Sequence, residues 1–135
     1  MAGYSKRPLA AKLGIKPNTM LYLVNPPQDY ENTLGPLPDG VKRVEQPQSA
    51  TGFIQIFTKS QGELEAEFPR LKASLATDGM LWVSWPKKAS KVETDLDGNI
   101  VREVGLANGL VDVKVCAVDE TWSGLKFVYR LKDRE

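Results

Sequence analysis

The apolar positions of the chain fall into continuous runs, helical stripes and alternating segments. Met20-Leu21-Tyr22-Leu23-Val24, Phe53-Ile54-Gln55-Ile56-Phe57 and Met80-Leu81-Trp82-Val83 are nearly unbroken. Runs of this length fit strands covered on both faces, as in parallel sheets flanked by helices. The third run is the reference point of the chain. Thr77-Asp78-Gly79 precedes it with turn chemistry, Gly79 being able to take a positive φ where a helix ends. Pro86 follows; it lacks an N–H for the ladder and pushes Trp85 toward extended backbone.

Helical spacing appears between the runs. Ser5 to Leu13 reads as a short helix with Pro8 in its first turn and Gly14 as its stop. Gln28 to Leu34 is a second short helix, cut by Gly35-Pro36, and Val41-Lys42-Arg43-Val44 is a partly polar strand suited to a sheet edge. Ser60-Gln61-Gly62-Glu63 matches a capping box, followed by the stripe Leu64, Phe68, Leu71 and Leu75. Pro69 inside that stripe is expected to kink or divide the helix. Thr94 or Asp95 caps a further helix whose inner face is Leu96, Ile100, Val101 and Val104, ending at Asn108-Gly109. Leu110 to Val118 is a long strand, with Val111, Val113, Val115 and Ala117 expected on one face. Leu125, Phe127, Tyr129 and Leu131 alternate with polar residues in a last strand. Asp119 to Gly124 is too short for a crossover, so these two strands pair antiparallel.

The order α-β-α-β-β-α-β-α-β-β predicts one domain over residues 1–135. It is an α/β sandwich of three layers, with a mostly parallel sheet and a C-terminal antiparallel hairpin. The 135 residues suffice for a real core, and 41% apolar and 26% charged residues are ordinary globular values. A formal net charge of +1 gives no global attraction to nucleic acid or an anionic membrane. No apolar run is long enough to span a bilayer, and no signal-peptide core follows Met1 to Arg7. A single cysteine excludes an intrachain disulfide; a soluble cytoplasmic protein is expected.

The chain has no histidine. This removes the usual neutral-pH base and the Ser-His and Cys-His pairs, and with one cysteine leaves no ordinary zinc ligand set. No catalytic residue, cofactor or metal is therefore assigned. Ligands of open α/β sheets sit beyond the carboxyl ends of the strands. Ser84, Trp85, Lys87 and Lys88 fall at that end of the reference strand, and with Lys126 they form the candidate anion-binding set. Lys91, Ser90 and Thr94 are placed at the same mouth. Trp82 is read as core, and Trp85 and Trp122 as edge cover or a stacking platform. Cys116 is read as a buried small hydrophobe.

From Ser60 onward the chain runs helix, strand after Asp-Gly, helix, strand after Asn-Gly, antiparallel strand. This resembles the second half of class I S-adenosylmethionine-dependent methyltransferases, and Ile15-Lys16-Pro17-Asn18 is similar to the lead into that fold's nucleotide half. The resemblance implies a Rossmann-like fold. In that family the first strand enters a glycine-rich loop whose bare backbone approaches the cofactor. The equivalent here is Asn25-Pro26-Pro27-Gln28, with no glycine and two prolines without N–H donors. Glu45 stands where the family's ribose-binding acid lies. S-adenosylmethionine is accordingly not expected to bind.

Trp85-Pro86-Lys87-Lys88, Thr94-Asp95-Leu96, Gly105-Leu106, Gly109 to Asp112, Val115 to Asp119 and Trp122 to Val128 also resemble a family of small bacterial proteins of unassigned activity. That resemblance implies a bacterial cytosolic origin. The expected function is a non-catalytic binding or interaction module for an anionic small molecule. The alternative is an enzyme, either a divergent methyltransferase or a transferase acting on a phosphorylated small molecule. A scaffold acting through an exposed sheet edge is a third class, which would be a dimer in solution.

Overall fold

The computed structural model describes residues 7–134. A six-stranded sheet in the order β2-β1-β3-β4-β6-β5 forms the middle layer. Its strands are β1 (Met20–Val24), β2 (Lys42–Val44), β3 (Thr51–Phe57), β4 (Leu75–Pro86), β5 (Leu110–Ala117) and β6 (Trp122–Tyr129). β1 pairs in parallel with β2 and β3, and β3 with β4; β6 alone is antiparallel, set between β4 and β5. The expected hairpin is therefore present, with its second strand inside the sheet and its first at the edge. As expected, β2 forms the other edge.

Helices cover both faces. α1 (Leu9–Leu13) and α2 (Tyr30–Leu34) lie on one, α3 (Gln61–Ser74) and α4 (Gly98–Ala107) on the other. The expected start of the first helix at Ser5 lies outside the described residues. Alternation along β4 feeds both cores. Leu81, Val83 and Trp85 join Phe68, Leu71, Val101 and Phe127 under α3 and α4. Met80 and Trp82 join Leu13, Leu21, Phe53 and Phe57 under α1 and α2. Trp82 is fully buried, and its indole N–H donates to the Leu13 carbonyl at 2.9 Å. That bond satisfies the ring's one polar group and one of the open C-terminal carbonyls of a very short helix.

Ser60 caps α3 as expected, its hydroxyl accepting the Glu63 N–H at 3.1 Å. The return half of the capping box is rerouted. Glu63 accepts from the Thr58 hydroxyl, and Thr58 in turn accepts the Ser60 N–H at 3.2 Å. Pro69 does not divide the helix, which runs unbroken from Gln61 to Ser74. Leu75, expected as the last residue of its stripe, is instead extended and begins β4.

Further expectations are corrected. Thr77-Asp78-Gly79 is not a separate turn: it is a bulge in β4, since two steps from Thr51 to Phe53 oppose five from Leu75 to Met80. Gly79 is needed there for close approach rather than positive φ, because a Cβ would meet the Gly52 carbonyl oxygen at 2.8 Å. The cap of α4 is Asp97, whose carboxylate accepts the Ile100 N–H at 2.9 Å, and not Thr94 or Asp95. β5 also carries one extra residue at Val113, between the pairs Asp112–Phe127 and Lys114–Lys126. Side chains after the bulge change face, so Val111, Val113, Val115 and Ala117 do not share one. Cys116, expected as a buried small hydrophobe, is half-buried on this edge strand.

α4 is seated by Gly105, where a Cβ would lie 2.0 Å from a ring carbon of buried Phe127. Phe127 stacks edge-on to Phe68 with centroids 5.6 Å apart, so the ring cannot yield without disturbing α3. Gly105→Ala is expected to destabilise the fold by about 1–3 kcal/mol or more, read as a lowered denaturation midpoint. Ser60→Ala should cost about 0.5–2 kcal/mol in the same measurement; an unchanged midpoint would remove its capping role.

Candidate functional site

β4 ends at Pro86, and the chain leaves the sheet through Lys87, whose N–H donates to the Thr121 carbonyl at 2.8 Å. A short 3-10 turn, Lys88–Ser90, follows; the Ser90 hydroxyl closes it by donating to the Lys87 carbonyl at 2.6 Å. The segment from Thr94 to Asp95 is then tied back to the carboxyl end of β3. Thr94 donates to the Lys59 carbonyl at 2.6 Å and accepts the Leu96 N–H, while Asp95 accepts the N–H of Gln61 at 2.8 Å. These bonds hold open a cleft of about 500 Å³ whose walls include Trp85, Pro86, Lys88, Lys91, Leu96 and Gly98. Trp85 presents a largely buried ring, 8% exposed, whose edge lies 3.7 Å from where a Gly98 Cβ would stand.

Lys88 and Lys91 make no ion pair among the described residues. Glu93 and Asp97 lie on the same lining, so the cleft is not uniformly cationic. Asp97 is committed to the first turn of α4, where its charge offsets the helix dipole. That carboxylate also occupies the helix N-terminus, so the free cations are what remains for an anion.

The expected anion-binding residues divide among three places. Trp85 and Lys88 line the cleft; half-buried Lys87, between them in sequence, is not part of its lining. Ser84 is fully buried and outside the cleft lining, since the period of two aims it at the opposite face of the sheet. Lys126 stands opposite Trp82 in the β4–β6 ladder and faces a separate cleft at the amino end of β4. Trp122 packs edge-on to Phe57 at 5.2 Å, on the α1–α2 face, and so cannot share a platform with Trp85.

Ser84 belongs to a buried chain of hydrogen bonds that sequence reasoning misses. The Tyr30 hydroxyl donates to the Gln55 carbonyl oxygen at 2.6 Å, and the Gln55 amide donates to the Ser84 hydroxyl at 3.0 Å. Tyr30 is 3% exposed and the other two are fully buried. The signal is Gln55 itself, a polar residue inside an apolar run, which demands buried partners. Among the described residues no buried side-chain polar atom lacks a partner, so the chain is satisfied and pins α2 to the sheet.

The loop after β1 is built differently from an open nucleotide loop. Asn25 and Asp29 take left-handed backbone conformations, φ 56° and 63°, on either side of Pro26 and Pro27. The Asn25 amide reaches the Phe57 carbonyl at 3.5 Å. A small polar cleft of about 250 Å³ lies beside it, crossed by the ion pair of Arg43 with Glu31 at 2.6 Å. Among the described residues no group of three His, Cys, Asp or Glu side chains could hold a metal ion. Nor is any described helix long and apolar enough to cross a membrane.

The strand order, with a single antiparallel strand next to the last parallel one, decides the architecture. The fold is that of the S-adenosylmethionine-dependent methyltransferases. Magnesium protoporphyrin IX methyltransferase from Synechocystis PCC 6803, with S-adenosylhomocysteine bound, superposes with a TM-score of 0.59. The match covers 90% of this chain and 78% of that one at 10% identity. A TehB-like methyltransferase from Corynebacterium glutamicum ATCC 13032 Kitasato gives 0.59 over 96% and 91% at 12% identity. LepI in complex with S-adenosylmethionine gives 0.57 at 10% identity, and there the match spans only 39% of the larger chain. At these identities the likeness is one of fold. No protein-family model and no curated protein matches the chain, so the resemblance to a small bacterial family rests on its sequence runs alone.

Burial holds the Tyr30 pKa well above the ordinary tyrosine value; Gln55 opposes the shift, while Asp119 and Cys116 add to it. Below about pH 10 the folded and unfolded states both carry the neutral phenol. Above it the unfolded state loses the proton first, so stability falls as pH rises. Tyr30→Phe is expected to flatten this alkaline decline while lowering stability near neutrality, because Gln55 loses its donor. Denaturation midpoints of both proteins from pH 7 to 11 check it; parallel curves would refute it.

Proposed function

We propose that the protein is a non-catalytic binding module which takes a small molecule at the carboxyl-edge cleft, with an anionic group toward Lys88 and Lys91 and a flat or apolar part against Trp85. The cleft beside Trp85 carries this reading: it lies beyond the carboxyl end of a parallel strand, the usual ligand position in such sheets. The low-dielectric wall of the indole strengthens a charge contact relative to open water. No side chain at this edge offers a histidine base or an activated nucleophile. The bacterial cytosolic setting in this reading rests on the resemblance of its sequence runs to small bacterial proteins and on no comparison.

A second reading, a divergent methyltransferase, is favoured by the fold itself, since neighbours of the same architecture hold S-adenosylmethionine or S-adenosylhomocysteine. Against it stand Pro26 and Pro27, which withdraw two N–H donors at the end of β1 and brace a loop already fixed by Asn25.

Calorimetric titration separates the two. S-adenosylmethionine is expected to show no micromolar binding; if it does bind at that level, the methyltransferase reading replaces the first. Nucleotides and other anions with a planar body are expected to raise the melting temperature, less so at high salt. Lys88→Ala with Lys91→Ala should remove that gain while leaving the unliganded midpoint nearly unchanged, because exposed lysines contribute little to stability. Equal responses in wild type and the double variant would reduce the two lysines to a solvated rim.

A further inference from the structure

At the amino end of β4, on the α1 side of the sheet, lies a cleft of about 450 Å³ that the preceding reading does not use. Among the described residues Lys16, Lys126 and Arg134 line it, against one carboxylate, Asp78. Its floor is apolar, made by Met80, Val113 and Val128. Val113 is there because the β5 bulge leaves it unpaired and 55% exposed.

We propose that this cleft is a second, separate anion site, built for a phosphomonoester or a comparable dianion attached to an apolar body. Lys126 is its centre. The side chain emerges from an interior strand, so its stem is packed and its ammonium is presented from a rigid element rather than a loop. The ammonium has no hydrogen-bond or ion-pair partner among the described residues. It sits 3.8 Å from the position a Gly14 Cβ would take, so the bare backbone of Gly14 leaves it room. Like charge surrounds it: burial, then Lys114, then Lys16 hold its pKa below the ordinary lysine value. A dianion would relieve that repulsion, which Asp78 alone does not balance. Arg134 is held at the rim by its Nε–H donating to the Tyr129 carbonyl at 2.9 Å, leaving the rest of its guanidinium to reach inward. The apolar floor adds selectivity for an organic phosphate over the inorganic ion. Covering about 50 Å² of it is worth roughly a tenfold gain in affinity.

The test uses phenyl phosphate and inorganic phosphate on the full chain at constant ionic strength, read by melting temperature and calorimetry. Phenyl phosphate is expected to bind about tenfold more tightly than inorganic phosphate. Both ligands are read in the Lys88→Ala, Lys91→Ala background, which silences the carboxyl-edge cleft; binding should persist there, and adding Lys126→Gln or, independently, the exposed Lys16→Gln should weaken it. In wild type the NMR titration of the Lys126 ε-methylene should move to higher pH when phenyl phosphate is present. No binding, equal binding in all variants, loss confined to the carboxyl-edge variant or an unmoved Lys126 titration would each overturn the assignment. A response that the Lys88→Ala, Lys91→Ala variant loses belongs to the cleft beside Trp85, so failure of one site is read apart from failure of the other.

Discussion

Burial of β4 on both faces is the constraint on which the structure depends. From Met80 to Pro86 the strand exposes almost nothing, and alternate residues go to opposite cores. Two layers of helices must therefore exist, because neither face can meet water. A side chain such as Leu81 or Trp82 contributes about 1.5–3 kcal/mol when removed from solvent. The helices that cover the α1–α2 face are too short to be stable alone. They are held by what the sheet offers them: the Trp82 indole N–H for α1, and the Gln55 side-chain carbonyl, which accepts from Tyr30, for α2. Order in the small helices is thus borrowed from the strands.

The same strand makes two different ends available. Its carboxyl end opens beside Trp85, where the chain turns away at Pro86. At its amino end the bulge at Ala76 to Gly79 and the approach of Lys126 from β6 shape the other cleft. The methyltransferase-like sheet thus opens a cleft at each end of β4, while the loop after its first strand is filled by prolines.

The strands are legible in the sequence because nearly unbroken apolar runs of four or five residues can be buried only where both faces are covered. The capping box names the start of α3, and loop length alone gives the hairpin. What fails requires contacts distant in sequence. Thr94, Asp95 and Asp97 are all good caps, and only the Lys59 carbonyl and the Gln61 N–H decide which of them is spent elsewhere. Lys126 falls in with Lys87 and Lys88 on sequence grounds because nothing local gives the register that puts it opposite Trp82. Ser84 stands next to the mouth along the chain, yet its parity with Trp82 turns it inward. Lys88 and Trp85 line one cleft because Pro86 fixes the chain between them locally. The bulge at Val113 carries no local signal, and with it goes the expected face of β5.

That bulge also governs how copies of the molecule meet. β5 is a free edge bearing two exposed valines, the kind of strand that recruits another chain and propagates. An unpaired residue in its middle, with Lys114 next to it, spoils the even spacing that a docking strand would have to match. β2, at the opposite margin, is only three residues long and carries Lys42 and Arg43. Each margin of the sheet thus carries a feature that disfavours edge-to-edge growth, a bulge on one side and a short, charged strand on the other.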